Sequence, residues 1–409
     1  MDDESARRVD ATMTGIDRSR RRLLASGVAA GLSAVLAGCS SRTEEVGVVR
    51  GRTLTAAGEH TPDETFETIQ AAVDAATAGD TVTVPAGTYR EKITTARSGT
   101  ADEPITIVGP ESAVLRGARG AYGIVRINHS HIHLRGLTIE GLLDPDHPDR
   151  LASYVTGQLV QTRPPLSTDD YLRDIVVAPH AIGYSRRSLV GLERTVGAEL
   201  GPTRISGLAG GNYQLGGEES RNGELFYIGT SHSNLGADWH PWTELDETRD
   251  VRIHHIDNSE GHPHAMAVDL KEGTRNVTVE YLTDRNAGHV GTDETPGAIS
   301  FKSQDSTARW CDIADSPIGV EFAPATDEQP VAGNDIYGCR IGDIERESVI
   351  IRSDTPIVDD QGIVCGNQVE GFDGPQPAAC PSEIPTSETV GHATAETTGE
   401  RGSLVDRLL

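Results

Sequence analysis

Past residue 80 the apolar residues of this chain come in short alternating runs. Thr81-Val82-Thr83-Val84 stops at Pro85-Ala86-Gly87, Ile105-Thr106-Ile107-Val108 stops at Gly109-Pro110, and Ile124 to Ile127 leads into Ile132-His133-Leu134 and Leu137-Thr138-Ile139. Alternation bounded by Gly, Pro and polar turns predicts a succession of short strands, each with one buried face. The stretch before them reads differently. From Thr61 to Ala76 the apolar positions 66, 69, 72, 73 and 76 follow helical spacing behind a Thr/Pro start, and Gly79 closes the run. One amphipathic helix is therefore expected ahead of the strands.

From residue 224 onward the strands become a repeat. Leu225 to Thr230 aligns with Asp269 to Thr274 and with Ser300 to Ser303, and Val251 to Asn258, Val277 to Tyr281, Arg309 to Ile313 and Val349 to Arg352 fall between or after those rungs. Units of roughly 20 to 50 residues that carry a few short strands each predict a solenoid, in which every coil buries its inward face against its neighbours. On such a coil Val268-Asp269-Leu270-Lys271 turns its apolar pair inward and Asp269 and Lys271 outward. Two outward columns are expected: Tyr227, Lys271, Lys302, Ala323 and Arg352, and beside them Leu225, Asp269, Ser300, Glu321 and Ile350. The stretch 142–221, with Pro164-Pro165 and several Gly-rich turns, is expected to be a loop-rich insertion that interrupts the ladder.

The run Thr68-Ile69-Gln70-Ala71-Ala72-Val73, then Gly79-Asp80-Thr81-Val82-Thr83-Val84-Pro85-Ala86-Gly87-Thr88-Tyr89 and Gly99 to Ile107, resembles the N-terminal cap and first coils of the pectate-lyase-like superfamily. Within that superfamily the chondroitinase B and alginate lyase branch is the nearest likeness. The resemblance implies an all-β fold, a right-handed parallel β-helix with an N-terminal capping helix, over 61–380. Ala298-Ile299-Ser300-Phe301-Lys302-Ser303 resembles the strand that carries the Brønsted-base lysine of that branch. Two departures stand beside this. The next rung, Gly319 to Pro324, lacks the branch's Arg-His-Gly, and the Asp-Asp-x-x-Asp calcium cluster of pectate lyases is missing.

The two ends of the chain read as something other than solenoid. Ser19-Arg20-Arg21-Arg22-Leu23-Leu24 resembles a twin-arginine export signal, and Leu36-Ala37-Gly38-Cys39 resembles a lipobox. Residues 1–39 are thus expected to direct export and lipidation of Cys39, placing the protein at the cell surface with the membrane as a partner. A polar linker over 40–60 and a Ser/Thr/Glu-rich disordered tail over 381–409 are expected to flank the helix. Outside the membrane cysteines can be oxidised, and Cys311, Cys339, Cys365 and Cys380 allow two disulfides. The expected pairs are Cys365 with Cys380 and Cys311 with Cys339.

Composition adds weight to one part of this picture. The formal net charge is -26, with 62 Asp+Glu against 36 Lys+Arg, which excludes a nucleic-acid partner held by a basic surface and suits a protein kept soluble at high salt. A monomer is expected. Only Lys92, Lys271 and Lys302 are lysines, so two of three fall on neighbouring outward positions of one column. An amine can give up its proton where a guanidinium cannot. That difference suits a β-elimination, in which a base takes the proton α to a uronate carboxylate and a cation stabilises the charge that develops.

The function expected is therefore that of a lyase on an acidic polysaccharide, with Lys302, Lys271 and Asp269 as the catalytic candidates. Tyr227, Arg309, Arg352 and His264 are the candidates for substrate binding. Asp269, Glu272, Asp293 and Glu294 offer oxygens to a calcium ion, the one cofactor considered. Trp239 and Trp242 suit stacking on sugar rings. The competing reading is a non-catalytic cell-surface β-helix that binds glycans or adheres, in which the lysines are solvated charges beside their carboxylates.

Overall fold

The computed structural model describes residues 49–52, 64–214, 223–288, 297–323, 331–351, 364–365 and 367–369, all within the unit Glu44–Leu409. Their chain winds through three parallel ladders. The first begins Thr81–Thr83, Ile105–Val108, Ile132–Arg135, Leu172–Ala178 and Thr195–Leu200, each strand paired to the next coil's. The second begins Gly87–Tyr89, Ala113–Leu115, Thr138–Glu140, Ala181–Gly183 and Thr203–Ile205. Nine strands of the described residues make the third, from Ile93–Thr94 through Phe226–Ile228, Val268–Leu270 and Ile299–Phe301 to Ile344–Ile351. This is a right-handed parallel β-helix.

Inward positions along these strands are Val, Ile and Leu with almost no exposure, and they form one continuous core. Small branched side chains stack well at the coil spacing of about 4.8 Å, so the fold is built with few aromatics. Long strands turn the corner between the first two ladders. Arg249–Asn258 and Arg275–Arg285 do so through His255 (φ 51) and Tyr281 (φ 52), and Trp310 (φ 54) and Gly338 (φ 63) continue that corner. A left-handed residue costs a non-glycine roughly 1–2 kcal/mol. Here the repetition offsets it: His255 stacks on Tyr281 with centroids 4.7 Å apart, and Tyr281 lies 4.9 Å from Trp310.

Several expectations need correction. The helix spans only Ile69–Ala75, capped by the Thr68 hydroxyl accepting from Ala71 N. Glu64–Phe66 is a strand instead, paired antiparallel with Val49–Arg52, a strand that itself falls within the expected linker. The stretch 142–221 is no interruption. Val160–Thr162, Leu172–Ala178, Ala181–Gly183, Val190–Leu192, Thr195–Leu200 and Thr203–Ile205 all take their places in the three ladders. Four of these six strands have only three residues, too few for alternation to be seen without neighbours.

Cys311 and Cys339 are buried free thiols and not a disulfide. They occupy equivalent inward positions on adjacent coils, and Cys311 N donates to Cys339 Sγ at 3.4 Å. Equivalent residues of a parallel ladder project their Cβ bonds side by side, whereas a disulfide needs them turned toward each other. Cys380 and Cys39 lie outside the described residues, as does the side chain of Cys365.

Candidate active site

The third sheet carries the site. In each of its triplets the outer two residues enter the core and the middle one points out, so Phe226, Ile228, Val268, Leu270, Ile299 and Phe301 are buried core. The outward middle residues run Arg126, Gln161, Gly191, Tyr227, Asp269, Ser300 and Glu321 from coil to coil. Tyr227 therefore registers with Asp269 and not with Lys271 as the sequence alignment had it. The coil-upstream partner of Lys271 is Gly229: Lys271 N donates to Ile228 O, and Lys302 N to Leu270 O. Alternation alone fits either register, since a shift of two residues keeps every side chain on its face.

Asp269 is the centre of this surface. Its side chain has no exposure, although it is on the outward face, and it receives both lysines. Lys302 Nζ donates to Oδ1 at 3.0 Å from the next coil, and Lys271 Nζ pairs with Oδ2. The lysine side chains are 12% and 17% exposed for Lys271 and Lys302, whereas the Asp269 side chain has no exposure. Lys271 Nζ also stands 4.7 Å from the centre of the Tyr227 ring, a cation–π contact.

The electrostatics follow from this packing. Burial alone would raise the Asp269 carboxyl, but the ammonium groups of Lys271 and Lys302 outweigh it and hold it below the usual carboxylate range. Burial would lower the Lys271 amine, yet Asp269 and then Glu224 outweigh that, so this amine is held well above the ordinary lysine value. A neighbouring ammonium would lower the pKa of Lys271, but the Asp269 carboxylate lies between the two lysines and reverses the direction. Burial, reinforced by Asp269 and Glu224, pushes the Tyr227 hydroxyl far up, which keeps it a neutral phenol.

Glu224 escaped the sequence reading. It sits at the edge of the Phe226–Ile228 strand, buried, with Oε2 accepting from Ser188 Oγ at 2.5 Å and from Gly223 N at 2.9 Å. Burial and then the Asp269 charge raise its pKa. No periodicity marks it, because its importance comes from coils that are distant in sequence. Arg163 and Glu193, buried on neighbouring coils, were missed for the same reason: Arg163 Nη2 donates to Glu193 Oε1 at 2.7 Å, and Gln161 Nε2 to the same oxygen at 2.9 Å.

The remaining candidates separate. Glu272 is buried against His232, whose Nδ1 lies 3.3 Å from Oε1. Among the described residues no three His, Cys, Asp or Glu side chains are grouped to hold a metal ion; Asp293 and Glu294 lie outside those residues, as does Arg352. Arg309 is on the first ladder, a different face from the lysines, donating to Glu280 Oε2 at 2.6 Å and to Tyr337 Oη at 3.1 Å. The turn through Gln304 and Asp305 (φ 50) carries it round the corner. His264 is fully buried, its Nδ1 donating to His262 O at 2.9 Å and its Nε2 3.2 Å from Asp284 Oδ1. It therefore presents nothing to a ligand. Trp242 is buried with Nε1 donating to Thr168 O at 2.9 Å, whereas Trp239 is exposed.

No protein-family model matches this chain, and no curated protein does. Among solved structures, the alginate lyase from Paenibacillus sp. str. FPU-7 is similar, with a TM-score of 0.55 at 16% identity over 74% of this chain and 92% of that one. What the two share is the fold. The likeness agrees with the parallel ladders described above and reaches across most of the other chain.

Proposed function

We propose that this protein is a polysaccharide lyase that cleaves an acidic, uronate-containing polymer by β-elimination at the third sheet. The observation that carries the reading is Asp269, buried on an outward face between two of the chain's three lysines. A carboxylate placed there fixes two amines where a polymer lying along the sheet presents its own carboxylate. Lys271, held protonated by Asp269, supplies the fixed cation that stabilises negative charge developing on the uronate carboxyl.

Lys302 takes the proton α to that carboxyl, the electron pair of the broken C–H bond forms the new C=C bond, and the glycosidic oxygen leaves. The neutral Tyr227 phenol, in the Asp269 column, gives its proton to that oxygen. The fold likeness to an alginate lyase supports this class of chemistry. Incubation of the protein with alginate, pectate and glycosaminoglycans, following the ultraviolet absorbance of unsaturated uronate ends, tests it; no such product from any of them sinks the reading.

One observation favours the non-catalytic alternative, a cell-surface glycan-binding protein. Both amines are already ion-paired with Asp269, and their side chains are largely covered. Retention of glycan binding without turnover would select it. Under either reading we propose export through the twin-arginine signal and attachment at Cys39, supported by Ser19 to Leu24 and Leu36 to Cys39. Release of a Cys39→Ala variant into the medium tests the anchor.

A further inference from the structure

Upstream of the lysines, at the start of the third sheet, the outward surface changes character. Arg126 occupies the middle position of the Val125–Ile127 strand, half-buried, and its one side-chain hydrogen bond among the described residues runs from Nε to Asn128 Oδ1 at 3.2 Å. Two exposed aromatic rings belong to this region. Tyr122, 45% exposed, lies four residues before Arg126; Trp239, 51% exposed, sits over Arg163 from the loop that follows Gly229. Each ring carries an arginine: the Arg187 guanidinium is 5.4 Å from the Tyr122 centroid and donates to its hydroxyl at 2.7 Å, and the Arg163 guanidinium is 5.6 Å from the Trp239 centroid. Arg126 is near enough to Arg163 and Glu193 for the charge on each to act on it.

In a protein with a net charge of -26 this surface carries three arginines, Arg126, Arg163 and Arg187, of which Arg163 is held by Glu193. Flat rings with an exposed face and a guanidinium without a carboxylate partner are the groups that bind an anionic sugar, the rings against its C–H face and the cation against its carboxylate. Register places this surface on the same sheet as the lysines. From Arg126 the column passes Gln161, Gly191 and Tyr227 before Asp269, four coil steps or about 19 Å. One step is close to the length of a pyranose unit in an extended chain.

We propose that Arg126, Tyr122 and Trp239, with Arg187 and Arg163 supporting the rings, form a distal subsite that binds a uronate residue of the polymer about four sugars from the lysine centre. It rests on the reading of the third sheet as a polysaccharide site, and it accounts for how so acidic a protein holds an acidic chain. The distance makes it a subsite for long substrates alone.

Affinity electrophoresis of the full chain through gels containing alginate, pectate or a neutral glucan tests binding without requiring turnover. Retardation by an acidic polymer that drops at least fivefold in Arg126→Gln and in Trp239→Ala is the expected result. Equal retardation of wild type and both subsite variants overturns the proposal, as does retardation by the glucan alone or by none of the polymers. Circular dichroism on the same samples identifies a variant that has failed to fold, in which case Arg126→Lys and Trp239→Phe, expected to bind partially, replace it. Where lyase activity is present, KM for polymer rises about tenfold in Arg126→Gln with kcat kept, while a disaccharide or trisaccharide substrate is turned over as by wild type. Binding that persists without any turnover would remove the lyase reading and leave the subsite standing.

Discussion

Lys302 and Asp269, 33 residues apart in the chain, meet at 3.0 Å because they stand on adjacent coils of one sheet. The carboxylate is wholly buried and the lysine side chain is partly exposed, so the pair joins the packed face of the sheet to the surface on which chemistry is proposed.

Replacing Asp269 by Asn leaves two ammonium groups without their counter-charge. Removal of one partner of a buried ion pair costs about 3–5 kcal/mol. Chemical denaturation should show a loss of that order. If activity survives, its decline at alkaline pH should begin at lower pH, since the carboxylate that holds the Lys271 amine protonated is gone and the fixed cation is lost sooner. An unchanged pH profile would argue that Asp269 does not tune the site.

The two lysines are expected to differ. Lys302→Arg keeps a positive charge but removes a group able to accept a proton, and should lower kcat by ~10²–10⁴-fold. Lys271→Arg retains the fixed cation and should keep a measurable share of activity. Initial rates of unsaturated uronate formation distinguish them; equal losses in both variants would refute the division of roles.

His264 provides a test of stability against pH. Burial alone would lower its pKa, but the Asp284 charge outweighs this and leaves it above the ordinary histidine value. A raised value in the folded state stabilises the protein fully below the unfolded value of about 6.5, and that contribution disappears as pH rises through the folded value. Denaturation midpoints measured from mildly acidic to alkaline pH should fall across this window in wild type. In His264→Gln the same interval should be flatter.

Cys311 and Cys339 should resist thiol reagents in the native protein. Both are buried, and burial together with its neighbour Cys339 pushes the Cys311 thiol up, leaving little thiolate. Mass spectrometry after labelling with and without denaturant should find them modified only when the chain is unfolded. Rapid labelling of the native protein would contradict the packing.

Much of the architecture was legible from residues such as Val268-Asp269-Leu270-Lys271, because alternation dictates which side chains are buried wherever one face of a strand meets a core. It correctly placed Asp269 and Lys271 on one outward face. It could not choose between registers that differ by two residues, which is why Tyr227 was set beside Lys271 when its partner is Asp269. Arg309 shows a second limit. Its neighbourhood to Lys302 in sequence hides the corner at Asp305 that carries it to another face.

By itself, then, the sequence determined that the chain forms a solenoid of short strands with lysines on one outward column, since local periodicity and turn chemistry act within a coil. Only the tertiary structure decided that Asp269 is buried between those lysines, that the Glu224 carboxylate accepts from Ser188, and that Cys311 and Cys339 stack without a disulfide. These relations are contacts between successive coils. Their geometry is set by coil-to-coil register and by the length of the turns, neither of which is encoded in the alternation of a single strand.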